Sequence, residues 1–164
     1  MTLLARLFAS RLLWVALAGL VMTSCSSTSK GPGGAITKVK YYFLDPSQVL
    51  RTKDPAIIFE REHYLHGAFT AAAQIARTGH YYTVMWSADD RSQPVTVRLE
   101  YRQANTALQV KKQEQQVADV RKHNETQFQV IGPDYQAGGR VTAWRVTLWR
   151  GSEELASQDS YLWK

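Results

Sequence analysis

The chain reads as a mostly β protein, an antiparallel β-sandwich with one short helix. Three observations predict this class. From His80 onward the apolar residues recur with a period of two, turn-forming clusters separate the runs at short spacing, and only one short segment favours a helix. With 164 residues at 18.6 kDa the chain has room for one ordinary domain.

Each element follows from its residues. Lys38 to Leu44 (KVKYYFL) is β-prone and is closed by Asp45-Pro46. Ile57 to His66 is rich in β-formers and is expected to be a strand, although it alternates poorly. Thr70 to Thr78 is alanine-rich, with Thr70 as N-cap and Gly79 to close it, and is the one expected helix. Tyr82, Val84 and Trp86 then share one strand face, and Asp89 to Ser92 form a turn. Val95, Val97, Leu99 and Tyr101 alternate with Thr96, Arg98, Glu100 and Arg102, the pattern of a strand with one face in a core and one in water. Leu108 to Val120 is more polar and fits either an edge strand or a weak helix. Thr126, Phe128 and Val130 mark the next strand, followed by turn residues at Gly132-Pro133-Asp134 and Gly138-Gly139. Trp144, Val146 and Leu148 lie on one face of a further strand, opposite Arg145, Thr147 and Trp149. Gly151-Ser152 is a tight connection, and Leu155 to Trp163 returns as the last strand.

From about Ile57 to Trp163, this succession resembles an immunoglobulin-like or fibronectin-type-III-like domain, without the Cys…Trp…Cys hallmark of antibody domains. Trp86 is the expected core tryptophan. The closing stretch, from Val141 through Trp144 to Trp163, resembles the terminal hairpin of small bacterial envelope lipoproteins.

The N-terminus has a different character. Arg6 and Arg11 precede an uncharged apolar stretch, Leu12 to Met22, and no acidic residue occurs before Asp45. That stretch has the length of a signal-peptide core and falls short of the roughly 20 residues a membrane span needs. It ends in Met22-Thr23-Ser24-Cys25, with the only cysteine of the chain. These four residues resemble the lipobox of bacterial lipoproteins. The resemblance implies diacylation of the Cys25 thiol, cleavage between Ser24 and Cys25, and, from Ser26 at the next position, sorting to the outer membrane facing the periplasm. Residues 1–24 are thus expected to be a signal peptide, 25–36 a lipidated cysteine with a flexible tether (SSTSKGPGG within it), and 37–164 a single sandwich domain. Loss of Arg6 and Arg11 with the signal peptide leaves 18 Lys+Arg against 14 Asp+Glu. These charges are scattered, so a solvated surface is expected and no nucleic-acid partner.

Catalytic patterns are sparse. One cysteine excludes an internal disulfide, and no Cys/His set has zinc-finger spacing. His63 and His66 would share a helix face but not a strand face, and no HExxH accompanies them. Asp89-Asp90 and Glu153-Glu154 fall in expected turns, where carboxylates make local backbone hydrogen bonds. There is no GxSxG, and Gly31-Pro32-Gly33-Gly34 lacks the strand and lysine of a phosphate-binding loop. The expected function is therefore a non-enzymatic binding or structural role without metal or cofactor. The membrane would be reached through lipid on Cys25, and the partner would be an envelope protein or a glycan. The alternative is a carbohydrate-binding module. Trp149, Tyr161 and Trp163 would form its exposed platform if the last two continue a strand beside the first.

Overall fold

A computed structural model describes residues 28–164. The expected signal peptide and Cys25 lie outside the described residues. The chain from there on forms two antiparallel four-stranded sheets. One has the order β1 (Ser29–Lys30), β2 (Gly34–Leu44), β3 (Gly79–Ala88), β6 (Asn124–Ile131). The other has the order β5 (Lys111–Val117), β4 (Val95–Gln103), β7 (Val141–Arg150), β8 (Glu153–Asp159). An immunoglobulin constant-type sandwich puts strands A, B and E in one sheet and C, F and G in the other. Strands β2, β3, β6 and β4, β7, β8 take those places here, and β5 sits beside β4. The fold is an immunoglobulin-like β-sandwich.

The inward faces are those expected from the period of two. Tyr82, Val84 and Trp86 of β3 meet Val95, Val97, Leu99 and Tyr101 of β4, with Phe128, Val130, Val146 and Leu148 completing the core. Trp86 is 1% exposed, and its indole N–H donates to the Thr126 hydroxyl at 2.9 Å, so its one polar atom is satisfied. The polar segment after Leu108 resolves as the edge strand β5. Its Gln113 and Gln115 amides donate to the carbonyls of Gln129 and Gln127 on the edge of β6, at 2.9 and 2.6 Å. One open seam of the sandwich is thus stitched by side chains, and free strand edges are covered.

Several expectations are corrected. Ile57–His66 is not a strand: residues Pro55–Leu65 form helix α1. The Asp54 carboxylate accepts from the Ala56 N–H at 2.9 Å and Pro55 occupies the first turn, a start signal that outweighs the β-propensity of Ile57, Ile58 and Phe59. The alanine-rich helix is present as α2 (Ala71–Ala76), with the Thr70 hydroxyl accepting from the Ala73 N–H. Gly132–Gly138 is helix α3 instead of a turn, again with proline in its first turn. There are therefore three helices among the described residues where one was expected. The last strand stops at Asp159, and Tyr161–Trp163 is a 3₁₀ turn. Residues 29–36, expected in the flexible tether, are built into the sandwich. Ser29 pairs with Ile36, and Ile36 is fully buried opposite Trp86.

Strand direction sorts the connections into two poles. One pole carries residues 45–78 (with α1 and α2), 104–110, 132–140 (with α3) and 160–164. The other carries the short turns 31–33, 89–94, 118–123 and 151–152. They are called the helical pole and the turn pole below. The helical insertion is held by backbone carbonyls: Arg61 donates to Asp45 and Pro46, and Arg77 to Tyr64 and His66. Tyr64 stacks between Tyr42 and Tyr81, with ring centroids 5.2 and 4.0 Å away.

Trp86 and Trp149 are expected to respond oppositely to truncation. Trp86→Ala removes a core ring and should cost about 3–5 kcal/mol. Trp149 is half-buried on the outer face of the second sheet, and its loss should cost about 1–2 kcal/mol. Urea unfolding of both variants measures the difference.

Candidate functional site

The second seam, between β2 and β8, is closed over only part of its length. In the turn-pole half, the Gly33 N–H donates to the Leu155 carbonyl at 3.2 Å, and the Ser29 hydroxyl donates to the Ser157 carbonyl. In the helical-pole half, no strand bridges the sheets among the described residues. A cleft of about 250 Å³ opens there, lined by Tyr41, His80, Tyr82, Arg140, Trp144 and Tyr161 among others. Tyr41 shares the inward row of Tyr82, its cross-strand partner, but stands at the opening and is exposed. Trp144 meets Tyr82 edge-on, with centroids 6.1 Å apart. Tyr161 is brought to the rim by the 3₁₀ turn after β8.

His80 is the chemically distinctive member. It is 2% exposed and surrounded by the rings of Tyr41, Phe43, Tyr82 and Tyr135 at 4.8–6.4 Å. The Val141 N–H donates to its Nε2 at 3.1 Å, so the neutral ring carries its proton on Nδ1. Nδ1 is buried and has no hydrogen-bond partner among the described residues. Burial, and then the nearby Arg140 guanidinium, push the imidazole down to about 4. His80 is thus an uncharged donor at neutral pH. Arg140 is exposed, lies over the Phe43 ring at 4.4 Å and makes no ion pair among the described residues. The cleft combines the aromatic side chains of Tyr41, Trp144 and Tyr161 with the Arg140 guanidinium, which suits a ligand with an apolar face and an acceptor group.

The aromatics singled out in the sequence are not assembled as one platform. Trp149 lies opposite Glu154, not Trp163. Its indole N–H donates to the Thr147 hydroxyl at 2.7 Å, and Arg98 covers its ring at 4.9 Å. Trp163 lies under Arg102 at 4.7 Å. Tyr161 belongs to the cleft. The platform assumed that β8 runs on to residue 163, and the break at Ser160, whose hydroxyl accepts from the Trp144 N–H, prevents it.

The remaining candidates are placed as follows. His63 and His66 lie at the end of α1, and His63 packs on Phe59 and Tyr64. No group of three His, Cys, Asp or Glu side chains that would hold a metal occurs among the described residues. Asp90 accepts from the Ser92 N–H and hydroxyl, a local turn bond, and Glu154 pairs with Arg145. A polar cluster missed in the sequence joins three distant segments. Asp134 of α3 accepts from the Tyr101 hydroxyl at 2.6 Å and from the Lys111 ammonium. Burial opposes ionisation of Asp134, but these two donors outweigh it and hold the carboxyl below its ordinary range. A second groove, of about 420 Å³, runs between α1 and the outer face of the first sheet, lined by Lys40, Tyr42, Phe59, His63, Tyr64 and Glu125 among others.

No protein-family model and no curated protein matches the chain. Among solved structures, a crystal structure from Akkermansia muciniphila is similar at 14% identity and a TM-score of 0.41, over 81% of this chain and 74% of that one.

His80 sets an expected pH dependence. An unfolded chain takes up a proton at this histidine below about 6.5, whereas the fold refuses it until about 4. Its contribution to stability is therefore complete above 6.5 and is lost as pH falls through that window, by up to about 1.4 kcal/mol per pH unit. His80→Gln should flatten that part of the profile in urea unfolding between about pH 7 and about pH 4.5.

Proposed function

We propose that the chain is a lipid-anchored protein of the bacterial cell envelope with a non-enzymatic binding or structural role. One observation carries this reading. The only cysteine closes the sequence Met22-Thr23-Ser24-Cys25 directly after a basic and then apolar leader. Small residues before the cysteine suit a peptidase groove, and a thiol is what a thioether to lipid requires. Several acyl chains, each contributing about 0.8 kcal/mol per buried CH₂, make a firm anchor without a spanning helix. No helix among the described residues is long and apolar enough to cross a membrane.

The test is acyl labelling in cells. Cys25→Ala should abolish incorporation of labelled fatty acid and leave a longer, unprocessed precursor. A variant that stays labelled and partitions with detergent would defeat the reading.

A second reading, carbohydrate binding, has the cleft in its favour, because Tyr41, Trp144 and Tyr161 meet Arg140 and His80 there. Sugar rings stack on exposed aromatic faces, and an acceptor oxygen would match the exposed Arg140 guanidinium. Titration with purified envelope glycans should then show binding that Tyr161→Ala weakens at least tenfold and Trp149→Ala leaves unchanged. Equal loss in both variants would remove the cleft from consideration.

A further inference from the structure

The open half of the seam between β2 and β8 is lined by one sign of charge. Among the described residues that line it, Arg140 is the one ionised side chain, and no Asp or Glu is present. Acids on the flanking elements are engaged elsewhere: Asp134 of α3 with Lys111, and Asp159 at the end of β8 with Arg145. Arg140 is exposed and makes no ion pair among the described residues. Its guanidinium lies over the Phe43 ring at 4.4 Å. That contact occupies a face of the group and leaves the N–H donors, which lie around its edge, to a partner. A planar fork of donors is the match of a carboxylate, which can take two of them at once. The charge is also felt inside the cleft. Burial first, and then Arg140, hold the His80 imidazole down to about 4, and no lining acid offsets the guanidinium.

The rest of the lining suits a sugar ring. Tyr41, 62% exposed, comes from β2 in one sheet, and Tyr161, 88% exposed, from the 3₁₀ turn that follows β8 of the other. The Ser160 hydroxyl accepts from the Trp144 N–H and keeps its own O–H to give. A volume of about 250 Å³ is below the roughly 300–1,000 Å³ of sites for drug-sized ligands, so it suits one ring with the rest of a glycan outside. A neutral sugar would use the tyrosine rings and the hydroxyl but leave the cation unanswered. A ring that bears a carboxylate answers both.

We propose that the cleft binds a carboxylated sugar, a hexuronic acid residue of a glycan, with its carboxylate on Arg140 and its ring against Tyr41 and Tyr161. The proposal rests on the carbohydrate-binding reading above and narrows it to acidic glycans. The full chain, purified in a detergent without a sugar headgroup, is titrated by calorimetry with a trisaccharide of hexuronic acid. A parallel titration uses its methyl ester, which keeps the rings and removes the charge. The acid is expected to bind about tenfold more tightly than the ester at low salt. Arg140→Gln should close that gap, Arg140→Lys should keep part of it, and Tyr161→Ala should weaken both forms alike. Where Arg140→Gln fails to fold, salt tests the unaltered chain: added sodium chloride should weaken the acid and leave the ester unchanged. Equal binding of acid and ester would overturn the acidic preference and leave the carbohydrate reading standing. Binding of neither would overturn both. A preference for the acid that survives in Arg140→Gln would place the carboxylate elsewhere and overturn the assignment. Displacement of the acid by an equal concentration of acetate would show a bare anion site and overturn the sugar.

Discussion

The main-chain contact between Gly31–Gly33 and Leu155 is the constraint on which the rest of the sandwich depends. A Cβ at Gly31 would stand 2.1 Å from the Leu155 carbonyl oxygen, and one at Gly33 would strike the Leu155 side chain at 2.7 Å. Only glycine lets the backbone of one sheet come this close to the backbone of the other. The contact makes the segment after the proposed anchor part of the fold, and it seats Ile36 over Trp86 in the core. It also stops short. Where β1 is no longer available, the same seam parts, and Tyr41, His80 and Trp144 line the resulting cleft. The opposite seam is treated differently, with Gln113 and Gln115 reaching across from β5 to carbonyls of β6. One side of the molecule is bridged by two glutamine amides, and the other is closed over half its length by close backbone approach at glycine.

What could be read in the sequence follows from this division. Strands β3, β4, β6 and β7 show a clean period of two because one face of each is dry and the other wet, so Trp86, Leu99, Phe128 and Val146 identify themselves. Helix α1 has no buried residue, so no apolar stripe marks its period, and Ile57-Ile58-Phe59 suggest a strand. The signal that marks the helix, Asp54-Pro55 at its start, is confined to two residues, whereas the β-formers run through the segment. The SSTSKGPGG stretch misleads for a deeper reason. Glycine gives a flexible linker and also permits a close backbone approach, and only the tertiary partner, Leu155, decides which.

The site was legible in part for the same reason. Tyr161 is marked by its sequence position, but its neighbours in the cleft come from β2, β3 and β7, and period alone does not bring them together. A pairing of Trp149 with Trp163 needs an unbroken strand, whereas the chain turns at Ser160. His80 carries no signal at all in the sequence, being one histidine at the start of strand β3, beside Tyr81 and Tyr82. Its role depends on the Val141 N–H, 61 residues away.

The two sheets therefore present surfaces of different use. On the outer face of the second sheet, Arg98 covers Trp149, Arg102 covers Trp163, and Arg145 is held by Glu154 and Asp159. Each aromatic face there already has a guanidinium on it, so a ligand would have to displace an existing contact before gaining one. At the helical pole the apolar groups Phe69, Val49 and Leu108 have no such cover. Insertions between the strands of a rigid sandwich are free to vary without disturbing its core, which is why such loops carry binding surfaces. Here the longest insertion, residues 45–78, is tied down by Arg61 and Arg77 to backbone carbonyls and by Tyr64 stacked on the sheet. It is ordered without being buried, and that combination makes sense for a surface whose partner lies outside the chain.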